Sequence, residues 1–280
     1  MEIIEIPALR NPVMIAAFGG WNDAAEAATG ALEHLLSLWP HVKIAEVDSE
    51  EFYDFQVNRP MVSVDENHER SLEWPGTEIF GVQTPHLPFD LVILQGLEPS
   101  MRWRTFVSDL LDLADDLEVS MLVTMGSLLA DSPHSRPISI NASAASPSIA
   151  RKFNVEMSRY EGPTGILGTF QDAAVRRGID AVSLWAAVPH YASASPSPKA
   201  SLALINSLED FLDVVIPQGS LPEESKLWEK SVDQLAAEDS EIADYVAQLE
   251  KSKDATDLPE VTGDSIAREF ERYLRRRTSD

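Results

Sequence analysis

Up to about residue 219 the chain alternates between short apolar runs of strand length and longer segments whose apolar residues recur at helical spacing, and this rhythm limits the fold more than any other feature. "VMIAAF" (13–18) precedes the helix-period stretch "NDAAEAATGALEHLLSLW" (22–39), and "VKIAEV" (42–47) reads as the next strand. "TEIFGVQ" (77–83) and "FDLVILQ" (89–95) read as adjacent strands joined by a His-Leu-Pro turn. "FVSDLLDLADDL" (106–117) carries Val107, Leu110, Leu111 and Leu117 on one helical face, and "VSMLVTM" (119–125) follows as a strand. Later come the helix "TFQDAAVRRG" (169–178), stopped by Gly178, the strand "AVSLWAAV" (181–188) and the helix "SPKASLALINSLEDFLDVV". Strands apolar on consecutive residues leave no face for water, so the alternation predicts an α/β sheet covered by helices on both sides.

Residues 48–76 break the rhythm and read as a loop or small hairpin inserted between core strands. Their aromatics Phe52, Tyr53, Phe55 and Trp74 must be buried, either on their own domain or in a subunit interface. Beyond "IPQGSLPEES" no strand-like run remains, which divides the chain into an α/β core over 1–219 and a helical subdomain over 220–280. Ile242, Val246 and Leu249 share one helix face. Ile266, Phe270, Tyr273 and Leu274 share another behind an Asp264 N-cap, and "KSKDATDLPEVTG" joins the two as a helical hairpin. Helices this short are marginal alone, so they must pack on each other, on the core or on a neighbour.

Charge narrows the partners. The net charge is −24 over 280 residues, which repels phosphate backbones, so neither nucleic acid nor an anionic membrane is expected. The chain has no cysteine, which excludes disulfides, Cys-ligated metals and thiol catalysis. "MEIIEIPALRNPVMIAAFGG" lacks a basic leader, and no apolar run reaches the ~18 residues of a membrane span, so a cytoplasmic location is expected.

The unusual residues cluster just after strands: "FGGWNDA", "GLEPSMRW", "GSLLADSPHSRP" and "PHYASASPSPK". Loops leaving the carboxyl ends of strands form the usual ligand crevice of open α/β sheets, so these four are expected to converge on one pocket. The candidate ligand-binding residues are Asn22, Asp23, Glu98, His134, Arg136, His190, Tyr191 and Lys199. Each loop has a plainer reading too. Gly19 and Gly20 permit a turn, and Asn22 or Asp23 caps the helix after it. Glu98 either orders a turn before Pro99 or receives a cationic ligand group. Asp131 stands where it would orient the His134 imidazole. The glycines of "YEGPTGILG" (160–168) form either an anion nest or a turn into a helix. Pro198 suits the first turn of a helix and Ser195 or Ser197 its cap, which leaves His190, Tyr191 and Lys199 unexplained by helix-start chemistry. No catalytic signature is complete: Ser127 follows a strand without a Gly-x-Ser-x-Gly elbow, and the six histidines show no metal-ligand spacing. Catalytic residues are unassigned, and neither a metal nor a cofactor is expected.

Taken together, "GGWNDA", "EEFYDFQVNRP", "GLEPSMRW", "GSLLADSPHSRP", "YEGPTGILG" and "WAAVPHYASASPSPKASLAL" resemble the proteasome assembly chaperone 2 family, in its bacterial, actinobacterial-type branch. The resemblance implies a three-layer α/β/α sandwich similar to phosphorylase/hydrolase-like proteins, and homo-oligomers, with trimers favoured. It also implies a non-catalytic, chaperone-like role with other proteins as clients. The alternative is a small-molecule-binding protein or a hydrolase/phosphorylase-like enzyme that uses the strand-end crevice. The ending "RRRTSD" departs from the hydrophobic-Tyr-x tail by which relatives dock on proteasome rings.

Overall fold

The computed structural model describes residues 1–256. The expected helix around Ile266, Phe270, Tyr273 and Leu274, with its Asp264 cap, lies outside the described residues. The chain opens with β1 (Glu2–Ile3), β2 (Val13–Gly19), α1 (Ala27–Leu38) and β3 (His41–Glu46). The insert supplies α2 (Ser49–Phe52) and a hairpin of β4 (Met61–Val64) and β5 (Arg70–Glu73). Next come β6 (Thr77–Val82), β7 (Leu91–Leu97), α3 (Trp103–Asp116) and β8 (Met121–Ala130). They are followed by β9 (Ile140–Ala144), α4 (Pro147–Phe153), β10 (Glu156–Met157), α5 (Ile166–Arg177) and β11 (Asp180–Pro189). α6 (Pro198–Leu212), α7 (Leu221–Glu238) and α8 (Ser240–Thr256) complete the described chain.

A nine-stranded mixed sheet runs in the order β1-β3-β6-β7-β2-β8-β11-β9-β10. Its middle, β7-β2-β8-β11, is parallel, and antiparallel β6 and β9 flank it. Period-2 alternation along β2 shows why both faces are covered. Val13, Ile15 and Ala17 pack with α1 and α6, whereas Met14, Ala16 and Phe18 pack with α3 and α5. The result is the expected α/β/α layering, with α7 laid on the outside of α6 and α8 against α7. The strands expected at 77–83 and 89–95 are indeed neighbours, as β6 and β7.

Several boundaries differ from the sequence expectation. α1 begins at Ala27 rather than Asn22, because Ala25 and Glu26 take left-handed φ of 54° and 52° and form a separate tight turn. β8 runs on through Ser127 to Ala130, since it pairs in unbroken register with β11 from Asp180↔Met121 to Pro189↔Ala130. α7 was not anticipated, and α8 continues through "KSKDAT", which the sequence placed in a connecting segment.

The insert divides in two. Phe52 and Tyr53 are buried in the core on the α3 side, and the Tyr53 hydroxyl donates to Leu97 O at 2.9 Å. Burial pushes that phenol up to about 12, against the opposing bond with Thr77. Phe55 packs on Trp74 with ring centroids 4.8 Å apart. The β4–β5 hairpin, by contrast, leaves every one of its strand residues exposed.

Candidate functional site at the strand ends

The strand-end candidates form two groups rather than one pocket. The first surrounds the ends of β2 and β7. Gly20, at φ +110°, turns the chain out of β2 in a conformation that side-chain-bearing residues rarely adopt. Asn22, 1% exposed, then donates from Nδ2 to Glu98 Oε1 at 2.8 Å. The same Glu98 oxygen accepts from Ile166 N at 2.8 Å, setting a carboxylate on the N-terminus of α5 where the helix dipole favours it. Asn22 Oδ1 is buried, with no hydrogen-bond partner among the described residues. It lies where a side chain at Gly165 would stand: a Cβ there would come within 2.2 Å of it. Glycine at 165 therefore allows the close approach of the β2 loop to α5. The anion-nest reading of "YEGPTGILG" meets this carboxylate already seated at the helix start.

Asp23 acts as a cap for α1. Its Oδ1 accepts from Ala28 N at 2.7 Å and from Ser127 Oγ at 3.1 Å, and its Oδ2 accepts from Thr29 N at 3.3 Å and from the Thr29 hydroxyl. Ser127 is fully buried, and its single hydroxyl proton is shared between Asp23 Oδ1 and Ala24 O, 2.9 Å away, so it fastens β8 to the start of α1.

A crevice of about 480 Å³ opens beside Glu98, lined by Trp21, Asp54, Val57, Met101 and Trp103 among others. It lies between the loops that leave β2 and β7. These neighbouring parallel strands send their following helices, α1 and α3, to opposite faces of the sheet. That divergence is the topological switch point at which open α/β folds bind ligands.

The second group surrounds the ends of β8 and β11, and α7 and α8 cover it. His134 is 2% exposed. Its backbone N donates to the Tyr191 hydroxyl at 2.7 Å, its Nδ1 lies 2.7 Å from that hydroxyl, and its Nε2 lies 3.0 Å from Asp233 Oδ1 on α7. A carboxylate can only accept, so Nε2 carries the proton and Nδ1 takes the one from Tyr191. Burial raises the Tyr191 phenol above its ordinary range; the charges of Glu250 and Asp233 add to this, and the His134 amide opposes it. Lys199, at the start of α6, donates to His134 O and to Glu229 on α7. Arg136 binds Asp254 on α8 with two parallel bonds of 2.8 and 2.9 Å, which raise the guanidinium and lower the Asp254 carboxyl. His190 sits 3.4 Å from Asp131 and edge-on to Tyr245, whose hydroxyl donates to Asp131 at 3.0 Å. Asp131 thus faces His190 rather than His134, and Asp233 is the carboxylate that orients His134. Ser197 occupies the N-cap position of α6 without a capping bond, while Pro198 opens the helix as expected. Among the described residues no group of His, Asp and Glu is arranged to hold a metal ion.

The profile of the PAC2 family matches residues 17–236. The chain belongs to the PAC2 family. A PAC2 family protein from Streptomyces avermitilis shares 50% identity at a TM-score of 0.78, covering 84% of this chain and 99% of its own. A Mycobacterium tuberculosis proteasome-assembly chaperone homologue shares 47% identity at a TM-score of 0.76, again over 84% of this chain and 99% of its own. An archaeal proteasome activator from Pyrococcus furiosus shares the fold, at 19% identity and a TM-score of 0.66 over 83% and 96% of the two chains. No curated protein matches. Among the described residues no helix is long and apolar enough to cross a membrane.

The sequence alone did not single out Asp233, Glu229, Glu250 or Asp254 on the covering helices, nor Trp21 and Asp54 at the crevice of this PAC2 chain. The four acids stand among many others in an acidic stretch, and only the folded chain sets them opposite His134, Lys199 and Arg136.

Proposed function

We propose that this PAC2 chain is a non-catalytic, chaperone-like homo-oligomer, a trimer, that binds other proteins in the cytoplasm. The observation that carries this reading is the β4–β5 hairpin. Val62 pairs with Leu72 and Val64 with Arg70, so Val62, Val64 and Leu72 share one face, and all three are exposed. A two-stranded sheet is marginal in water by itself, and an apolar arm of this kind suits a protein partner. The M. tuberculosis relative, named as a proteasome-assembly chaperone homologue at 47% identity, supports a client-binding role. In this reading the 1–219 core and the arm hold the oligomer, and α7 and α8 lie at its periphery. Each subunit carries −24 charges, so buried apolar area must outweigh mutual repulsion, and added salt strengthens the assembly.

Affinity purification of the full chain from its native cell, at several salt concentrations, tests the client-binding half. The expected result is a reproducible partner protein at every salt concentration. Recovery of the chain alone would overturn it.

A further inference from the structure

The crevice at the ends of β2 and β7 has a chemistry of its own, which the fold uses only in part and α7 and α8 do not cover. Among the described residues its charged lining is Asp54 and Glu98, with no lysine or arginine. Both bonds that Glu98 accepts fall on Oε1, leaving Oε2 without a partner among the described residues at the half-buried side chain. Asp54 uses only Oδ1, to accept from Gln56 N at 2.8 Å. The adjacent Arg102 is turned away, 3.4 Å from Glu51 and with its guanidinium over the Phe52 ring. Trp21, Trp103 and Met101 share the lining with the two acids. Trp103 is anchored, its Nε1 donating to Pro99 O at 2.6 Å, whereas Trp21 is 69% exposed at the mouth.

Two acids with no cation beside them among the described residues, in a crevice shared with two tryptophans, match a group that is positive, planar and carried on an apolar stem. A guanidinium forks onto carboxylate oxygens and stacks on indole faces, while its methylenes cover Met101 and Leu97. The volume of about 480 Å³ holds one such side chain with room for its neighbours. The open, apolar mouth formed by Trp21 and Val57 favours a chain-borne group, because the residues flanking the arginine would bury it. We propose that this crevice receives an arginine side chain of a partner protein, with Glu98 Oε2 and Asp54 as its carboxylate partners and Trp21 as its lid. The proposal rests on the protein-binding reading above and names the chemistry that the partner presents.

Calorimetric titration of the full chain with acetyl-Ala-Arg-Ala-amide tests it directly. Saturable binding is expected, with the neutral citrulline peptide at least ~10-fold weaker. Glu98→Gln keeps an acceptor for Asn22 and Ile166, and Asp54→Asn keeps one for Gln56, so both variants retain the fold. Each is expected to weaken the arginine peptide by about 5- to 10-fold, Asp54→Asn with an unchanged thermal midpoint and Glu98→Gln with a midpoint lowered by the loss of the carboxylate charge at the start of α5. Trp21→Ala, at an exposed position, is expected to weaken it by about 3-fold. Absence of saturable binding at millimolar peptide, or equal binding of the citrulline peptide, overturns the assignment. Failure of the peptide alongside a recovered native partner would remove the crevice and leave client binding standing. Peptide binding with no native partner would do the reverse.

Discussion

His134 Nε2 stands 3.0 Å from Asp233 Oδ1, which fastens the loop after β8 to α7 across 99 positions of sequence. The histidine is 2% exposed while Asp233 is largely in solvent, so loss of the carboxylate is felt on the buried ring nitrogen. Asp233→Ala is expected to cost about 1–2 kcal/mol in urea denaturation, and Asp233→Asn, which keeps an acceptor, less than half of that. Equal losses for the two variants would show that His134 does not depend on an acceptor there.

Lys199 and Glu229 close the same joint. The lysine side chain is 13% exposed, so Glu229→Ala strands a charge that is mostly out of water. That variant is expected to lose about 2 kcal/mol, whereas the double variant Lys199→Met, Glu229→Leu loses less than either single change, because no unpaired charge remains. Additive losses would refute this.

The loop 84–90 is tied to the N-terminal segment through Asp90. Burial raises the Asp90 carboxyl, but the Arg10 side chain and the amides of Thr84 and Arg10 outweigh it and hold the group down at about 2, against an ordinary 3.8. A carboxyl whose folded pKa lies below its unfolded value stabilises the fold when ionised. Its contribution is therefore complete above about pH 4 and lost as pH falls towards 2. Arg10 is half exposed, so solvent screens the pair and about 1 kcal/mol is expected. Urea denaturation of wild type and Asp90→Asn at pH 7 and pH 3 should show the gap between them narrowing at the lower pH; a constant gap would contradict it.

Gly165 lets Asn22 and Glu98 reach the start of α5. A Cβ would lie 2.2 Å from Asn22 Oδ1 and 2.9 Å from Glu98 Oε1, so Gly165→Ala must displace both. A loss of about 2 kcal/mol is expected, with faster amide exchange at Ile166. Thermal melting and hydrogen exchange within wild-type error would remove this account of the glycine.

Much of the fold was legible because its strands are buried on both faces. "VMIAAF" leaves no polar side, and in the structure its alternate residues feed two separate cores. Strand ends were less legible: Gly126 and Ser127 look like a break after "LVTM", yet the pairing with β11 carries β8 through them. Gly126 is required there, since a Cβ would fall 2.7 Å from the Trp185 ring. α7 escaped notice because its buried stripe, Leu221, Ser225, Val232 and Ala236, is thin and set among acids. The candidate residues were found as types and places, but their grouping was not. His134 and Asp233 meet only because α7 folds back over α6, and no local spacing records that.

Light scattering of the full chain across protein concentration and ionic strength tests the central claim, that this is a self-associating, protein-binding PAC2 chain held together by apolar burial against its own charge. The predicted result is three times the chain mass of 30.9 kDa at moderate salt, with the assembly strengthened as salt is added. A mass of 30.9 kDa that persists at high concentration and moderate salt would contradict it.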